Sequence, residues 1–115
     1  MATINMGNQT ASNMLLLDDG DASGAGANIF YIPKISANFA VTVVYETAAP
    51  TAATSVLQGS IDGTNWVDLG NTTDVSATTV GFAVANKPYA YIRGNLTVYT
   101  AGSCDGVTIR ATAKE

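Results

Sequence analysis

The chain has no histidine and a single cysteine among its 115 residues. Without imidazole there is no Ser-His-Asp or Cys-His relay, and no histidine-ligated zinc centre. Cys104 alone cannot close an intramolecular disulfide, and it reads as a buried, inert thiol. Charge is sparse as well. Charged residues make up 12% of the chain, about half the usual share, and five Lys and Arg against nine Asp and Glu leave a net charge of −4. Scattered basic residues in an acidic chain build no phosphate-binding surface, so nucleic acid is not an expected partner. No apolar run approaches the roughly eighteen residues of a membrane span, and none is expected. The opening Met1-Ala2-Thr3-Ile4-Asn5-Met6 lacks a basic region followed by an apolar core, so no signal peptide is expected.

Sustained helical periodicity is missing too, and a period of two stands in its place. Residues 38–46 place Phe39, Val41, Val43 and Tyr45 on one face, which should point inward. Leu57, Gly59 and Ile61 share a face in residues 54–61, and Asp62-Gly63 before Thr64-Asn65 signals a hairpin returning through Trp66 to Leu69. Val80, Phe82 and Val84 face inward in residues 78–85. In residues 89–100, Ala90, Ile92, Gly94, Leu96 and Val98 oppose Tyr89, Tyr91, Arg93, Asn95, Thr97 and Tyr99. Val107, Ile109, Ala111 and Ala113 alternate with Thr108, Arg110, Thr112 and Lys114. Ile29-Phe30-Tyr31-Ile32 is a further short strand stopped by Pro33. Seven or eight strands at about ten-residue spacing, joined by short connections, predict one antiparallel β-sandwich of jelly-roll or immunoglobulin-like topology. At this length the domain buries roughly two-thirds of its unfolded surface, enough for an independent core.

The division expected is an N-terminal arm and loop over residues 1–28 and a sandwich over residues 29–115. The arm carries one apolar element, Met14, Leu15, Leu16 and Leu17, which pairs either with its own sheet or with a neighbouring chain. Asp18-Asp19-Gly20-Asp21 follows. It fails the spacing of a calcium loop and reads as a solvated acidic turn. The small-residue tract Ala22-Ser23-Gly24-Ala25-Gly26-Ala27 precedes no helix, so it is no phosphate cradle.

No catalytic machinery emerges from what remains. Lys34, Lys87 and Lys114 lie in turns or at the tail, away from any nucleophile-elbow serine. Asp62 and Asp68 flank one hairpin, where turn formation and surface exposure explain them better than glycoside hydrolysis. No enzymatic activity, metal or cofactor is expected. Trp66 reads as a cap over the end of the core, or as an aromatic platform for a sugar beside Asp62 and Asn65. The Tyr89, Tyr91, Arg93 and Tyr99 face offers interface chemistry, since tyrosine and arginine combine contact area with hydrogen-bonding tips. Tyrosine and threonine are also ordinary strand formers, and plain strand decoration stays open beside it.

Leu57-Gln58-Gly59-Ser60-Ile61-Asp62-Gly63-Thr64-Asn65-Trp66, Pro88-Tyr89-Ala90-Tyr91-Ile92-Arg93 and Val107-Thr108-Ile109-Arg110-Ala111 together resemble a β-sandwich module of tailed-phage virion accessory proteins. That group includes capsid decoration (cement) proteins and fibre-associated domains. The resemblance covers about half the chain, from Val56 onward. It implies a structural virion protein on the outer capsid surface, often a homotrimer, that binds the major capsid protein and stabilises the shell. Met14, Leu15, Leu16, Leu17, Tyr89, Tyr91, Arg93 and Tyr99 would then supply partner or oligomer contacts. Two other readings stay open: a glycan- or receptor-binding module of a fibre or cell surface, and a head–tail connector or tail component.

Overall fold

The alternation resolves into ten strands in a computed structural model of the protein, which describes residues 2–7, 13–26, 28–33 and 37–114. Lys34 and Ala27, assigned above to a turn and to the small-residue tract, lie outside the described residues. The strands are β1 (Ala2–Asn5), β2 (Met14–Gly20), β3 (Gly24–Ala25), β4 (Asn28–Tyr31), β5 (Asn38–Glu46), β6 (Ala52–Ser60), β7 (Val67–Thr72), β8 (Thr79–Val84), β9 (Tyr91–Thr100) and β10 (Gly106–Lys114). No helix occurs among the described residues. The larger sheet runs β1-β4-β9-β6-β7, with β3 also on β9, and the smaller runs β2-β10-β5-β8. Pairing is antiparallel throughout except between β1 and β4, which run parallel.

The all-β sandwich is therefore as the sequence reads, with ten strands rather than seven or eight. The extra strands come from the first 28 residues. Here β1 joins the larger sheet beside β4, β2 becomes an edge of the smaller sheet beside β10, and β3 pairs with β9. Gly26 makes this docking possible. A Cβ there would sit 1.8 Å from the Leu16 carbonyl oxygen, so only glycine lets the two segments approach. Its amide donates to the Gly94 carbonyl at 2.8 Å.

The core lies between the inner faces. Phe39, Val41, Val43 and Tyr45 from β5, and Val107, Ile109, Ala111 and Ala113 from β10, are all buried in it as the alternation predicts. Met14 and Leu16 join them, with Leu16 0% exposed. From the larger sheet come Phe30, Ala53, Leu57, Ile92 and Leu96. Each such large apolar side chain stabilises the fold by about 1.5–3 kcal/mol relative to its exposed state. The buried Tyr45 hydroxyl donates to the Asp74 carbonyl at 2.7 Å, so its polar tip is satisfied. Cys104 is buried, and its thiol donates to the Gly106 carbonyl at 3.3 Å.

Two local departures redirect side chains. Between Thr54 and Ser55 the β6–β9 register shifts: Thr54 pairs Val98 while Ser55 pairs Leu96, so Thr97 is an extra residue on β9. Leu96 points inward, but Val98 is 47% exposed and Tyr99 packs against the core. The other departure is at the end of β6. It stops at Ser60, and Ile61, expected to end the strand on the face shared by Leu57 and Gly59, is 82% exposed in the hairpin.

Candidate binding surface

The hairpin between β6 and β7 is built around one carboxylate. Asp62 accepts hydrogen bonds from the Thr64 and Asn65 amides at 2.9 and 2.8 Å, the Asn65 side-chain amide at 2.7 Å and the Ser60 hydroxyl at 2.9 Å. Ser60 Oγ in turn accepts from the Gly63 amide at 2.9 Å. The Asn65 and Thr64 amides, the largest influences, hold the Asp62 carboxyl well below the usual carboxylate range. Gly63 has φ of +79°, and a Cβ on it would meet the Tyr91 ring at 3.3 Å. The turn needs glycine twice over: for its backbone angle and for its approach to the sheet.

That approach folds the hairpin onto the outer face of the larger sheet. Trp66 lies over Arg93, whose guanidinium carbon is 4.4 Å from the indole centroid. Arg93 Nε donates to Gln58 Oε1 at 2.8 Å, and Gln58 Nε2 donates to Asp68 Oδ1 at 2.8 Å. The row follows from the register, because Gln58 pairs with Arg93 on one side and Asp68 on the other. Burial lowers the Arg93 pKa below its ordinary value. Next along β9, Tyr91 meets Tyr31 of β4 with ring centroids 4.8 Å apart and planes tilted by 30°. Cation–π and aromatic pairs of this kind each contribute about 0.5–2 kcal/mol. Half-buried Trp66, Arg93, Tyr91 and Tyr31 thus form one fixed aromatic and cationic layer.

The residues singled out from sequence separate into three groups. Tyr91 and Arg93 share this face. Tyr89 does not: β9 begins only at Tyr91, and the Tyr89 ring packs where a Gly59 Cβ would point, beside Leu69. Gly59 pairs with fully buried Ile92, which puts Tyr89 at the end of the core. Tyr99 also leaves the face, because the extra residue at Thr97 turns it inward. Its hydroxyl donates to the Cys104 carbonyl at 3.3 Å, and burial, aided by the Cys104 side chain, raises its pKa to about 12. Met14 and Leu16 are spent in the protein's own core, and half-buried Leu17 packs against it. Leu15, half-buried, pairs with exposed Arg110 on the outer side of the smaller sheet.

Trp66 departs from the core-capping role, since it sits on the outer face and one face of its indole is taken by Arg93. Tyr31, Gln58 and Asp68 were missed as members of the layer. Gln58 and Asp68 were legible in principle. Gln58 alternates against Leu57, and a hairpin closed at Asp62-Gly63 brings the strand bearing Asp68 back beside it. Asp18 and Asp19 belong to β2 rather than to a turn, and beside them lie Glu46 and Asp105. No group of three or more His, Cys, Asp or Glu among the described residues is placed to hold a metal ion.

Fold and face together define a small sandwich that presents a rigid polar-aromatic surface. Compared with known proteins, the chain matches no family model and no curated protein.

Proposed function

We propose that the protein is a structural binding module of a phage virion, a decoration protein that docks on the outer capsid surface and stabilises the shell. The observation that carries this reading is the Trp66–Arg93–Gln58–Asp68 row, with Tyr91 and Tyr31 beside it. Aromatic and arginine side chains already locked by mutual contacts lose little freedom on binding, which is how interface hot spots work. The phage context rests on the resemblance carried by the hairpin, by residues 88–93 and by residues 107–111. The major capsid protein is the proposed partner, and the protein acts as a homo-oligomer.

A module that binds the assembled shell but not its separated subunits stabilises the shell by mass action, and many copies add through multivalency. Adding the protein to capsids of its parent particle, stripped of accessory proteins, should raise their rupture temperature. No rise at saturating concentration would refute the proposal. A glycan array read with the same protein separates the receptor-binding alternative: glycan binding lost in Trp66→Ala, with capsids unaffected, would replace it.

A further inference from the structure

The second candidate surface is the outer face of the smaller sheet, opposite the layer just described. Its middle is made of small side chains, Ala40, Thr42, Gly81 and Ala83, all exposed, with exposed Val44 beside them. Its charge is segregated along the strands. At one end lie Asp18, Asp19 and Glu46; at the other lies Lys114, paired with Asn38, while Lys87 is tied to the same end by the hydrogen bond its backbone amide donates to the Ala37 carbonyl at 2.9 Å. Each end is hollowed. The acidic end has a recess of about 450 Å³ between Asp18, Asp19, Glu46 and Arg110. The basic end has an apolar one of about 320 Å³ between Ala40, Ala83, Ala85 and Lys114. The carboxylates crowd each other: the hydrogen bond that a protonated Glu46 donates to the Asp19 carboxylate, then the Asp19 charge, burial, and the charges of Asp105 and Asp18, push the Glu46 pKa up.

We propose that this face is a self-docking surface, on which a second copy of the chain packs sheet against sheet about a two-fold axis lying across the strands. Such an axis reverses strand direction, so the acidic end of each copy meets the basic end of the other. With the axis crossing β5 between Thr42 and Val44, the Arg110 row of one copy faces the Thr108 row of its partner. Arg110 then enters the partner's acidic recess instead of opposing the partner's Arg110. Lys114 reaches the same carboxylates from the outer end, while the Glu46 stem fills the apolar recess. The small central residues allow the roughly 10 Å approach of packed sheets.

Strands of seven, nine, nine and six residues, at about 4.8 Å spacing and about 3.4 Å per residue, give roughly 500 Å² per copy. The total of about 1,000 Å² is the lower limit for a specific interface, so the pair is salt-sensitive and reversible. It is a dimer, in place of the trimer that the phage resemblance implies, and it stands independently of capsid binding.

Sedimentation velocity at low salt, up to millimolar protein, tests the pairing. The expected species is a dimer. Glu46→Lys or Arg110→Glu should each weaken it at least about tenfold, and the two together should recover part of that loss, binding more tightly than Arg110→Glu alone, with Asp18 and Asp19 still opposing the new glutamate. Both residues are exposed, and the melting temperature of each variant reports whether it is folded. Arg93→Ala, on the opposite sheet, should leave the dissociation constant unchanged while weakening capsid binding. A monomer at millimolar concentration overturns the inference. So does a trimer, an oligomer indifferent to the two charge reversals, a double variant that fails to recover, or a dimer lost in Arg93→Ala.

Discussion

Ser55 is the one side chain whose chemistry disagrees with its place. Its hydroxyl is fully buried on the inner face of β6 and has no hydrogen-bond partner, alone among the buried side-chain polar atoms of the described residues. A buried unsatisfied hydroxyl costs about 1–3 kcal/mol, so Ser55→Ala should stabilise the fold by about 1 kcal/mol in urea unfolding, with an unchanged m-value. Asp62 behaves in the opposite sense. Its carboxyl is charged and four times hydrogen-bonded in the fold, with its pKa depressed relative to the unfolded chain. Its contribution is therefore present above about pH 4 and lost as the pH falls through the ordinary carboxylate range and below. Melting curves from pH 5 to pH 2 should fall more steeply for the wild type than for Asp62→Asn. Equal slopes would show that the hairpin does not depend on the charge. Tyr99, whose pKa is raised to about 12, carries the alkaline counterpart. Its neutral form suits the fold, so its contribution holds below about pH 10 and is lost as the pH rises towards 12.

Among the elements, β5 and β10 were legible residue by residue because they are regular strands covered on one face. For such strands, period two and burial coincide. β9 was legible only as far as Leu96, since one extra residue at Thr97 reverses every later side chain and no composition signal marks the bulge. The Tyr89 assignment failed for a related reason. Alternation was extended through the bend after Pro88, where the chain is not yet a strand. β2 is the element whose role the structure changes most. Its apolar run left two destinations open, and the structure fills the core with Met14 and Leu16 while leaving Leu15 half-buried on the outside. Leu16→Ala should accordingly destabilise the protein by about 2–5 kcal/mol in chemical denaturation, and Leu15→Ala by less than about 1 kcal/mol. Comparable losses at both positions would contradict that packing.

At the scale of the whole molecule, seven of the nine connections pass from one sheet to the other, while the β6–β7 hairpin and the β3–β4 step stay within the larger sheet. The hairpin alone therefore lies along the outer face it leaves, which is why the aromatic and cationic layer forms there. Its fixed partners were hidden in the sequence because Tyr31, Trp66 and Arg93 are far apart along the chain and meet only through the pairing of β4, β9 and β6. The composition-level reading concerned chemistry rather than place. An absence of histidine and a thin scatter of charge do not say which face would meet a partner. Two opposite faces now carry separate expectations, one for a foreign partner and one for a second copy.

The account depends most on the larger sheet's outer face being a docking surface. Affinity for stripped parent capsids, measured by co-sedimentation for the wild type, Arg93→Ala and Trp66→Ala, addresses it directly. Removing either anchor should weaken binding at least about tenfold, as hot-spot residues do, while the lost intramolecular contact lowers the melting temperature by several degrees and leaves the variant folded at the assay temperature. Wild-type affinity in both folded variants would contradict it.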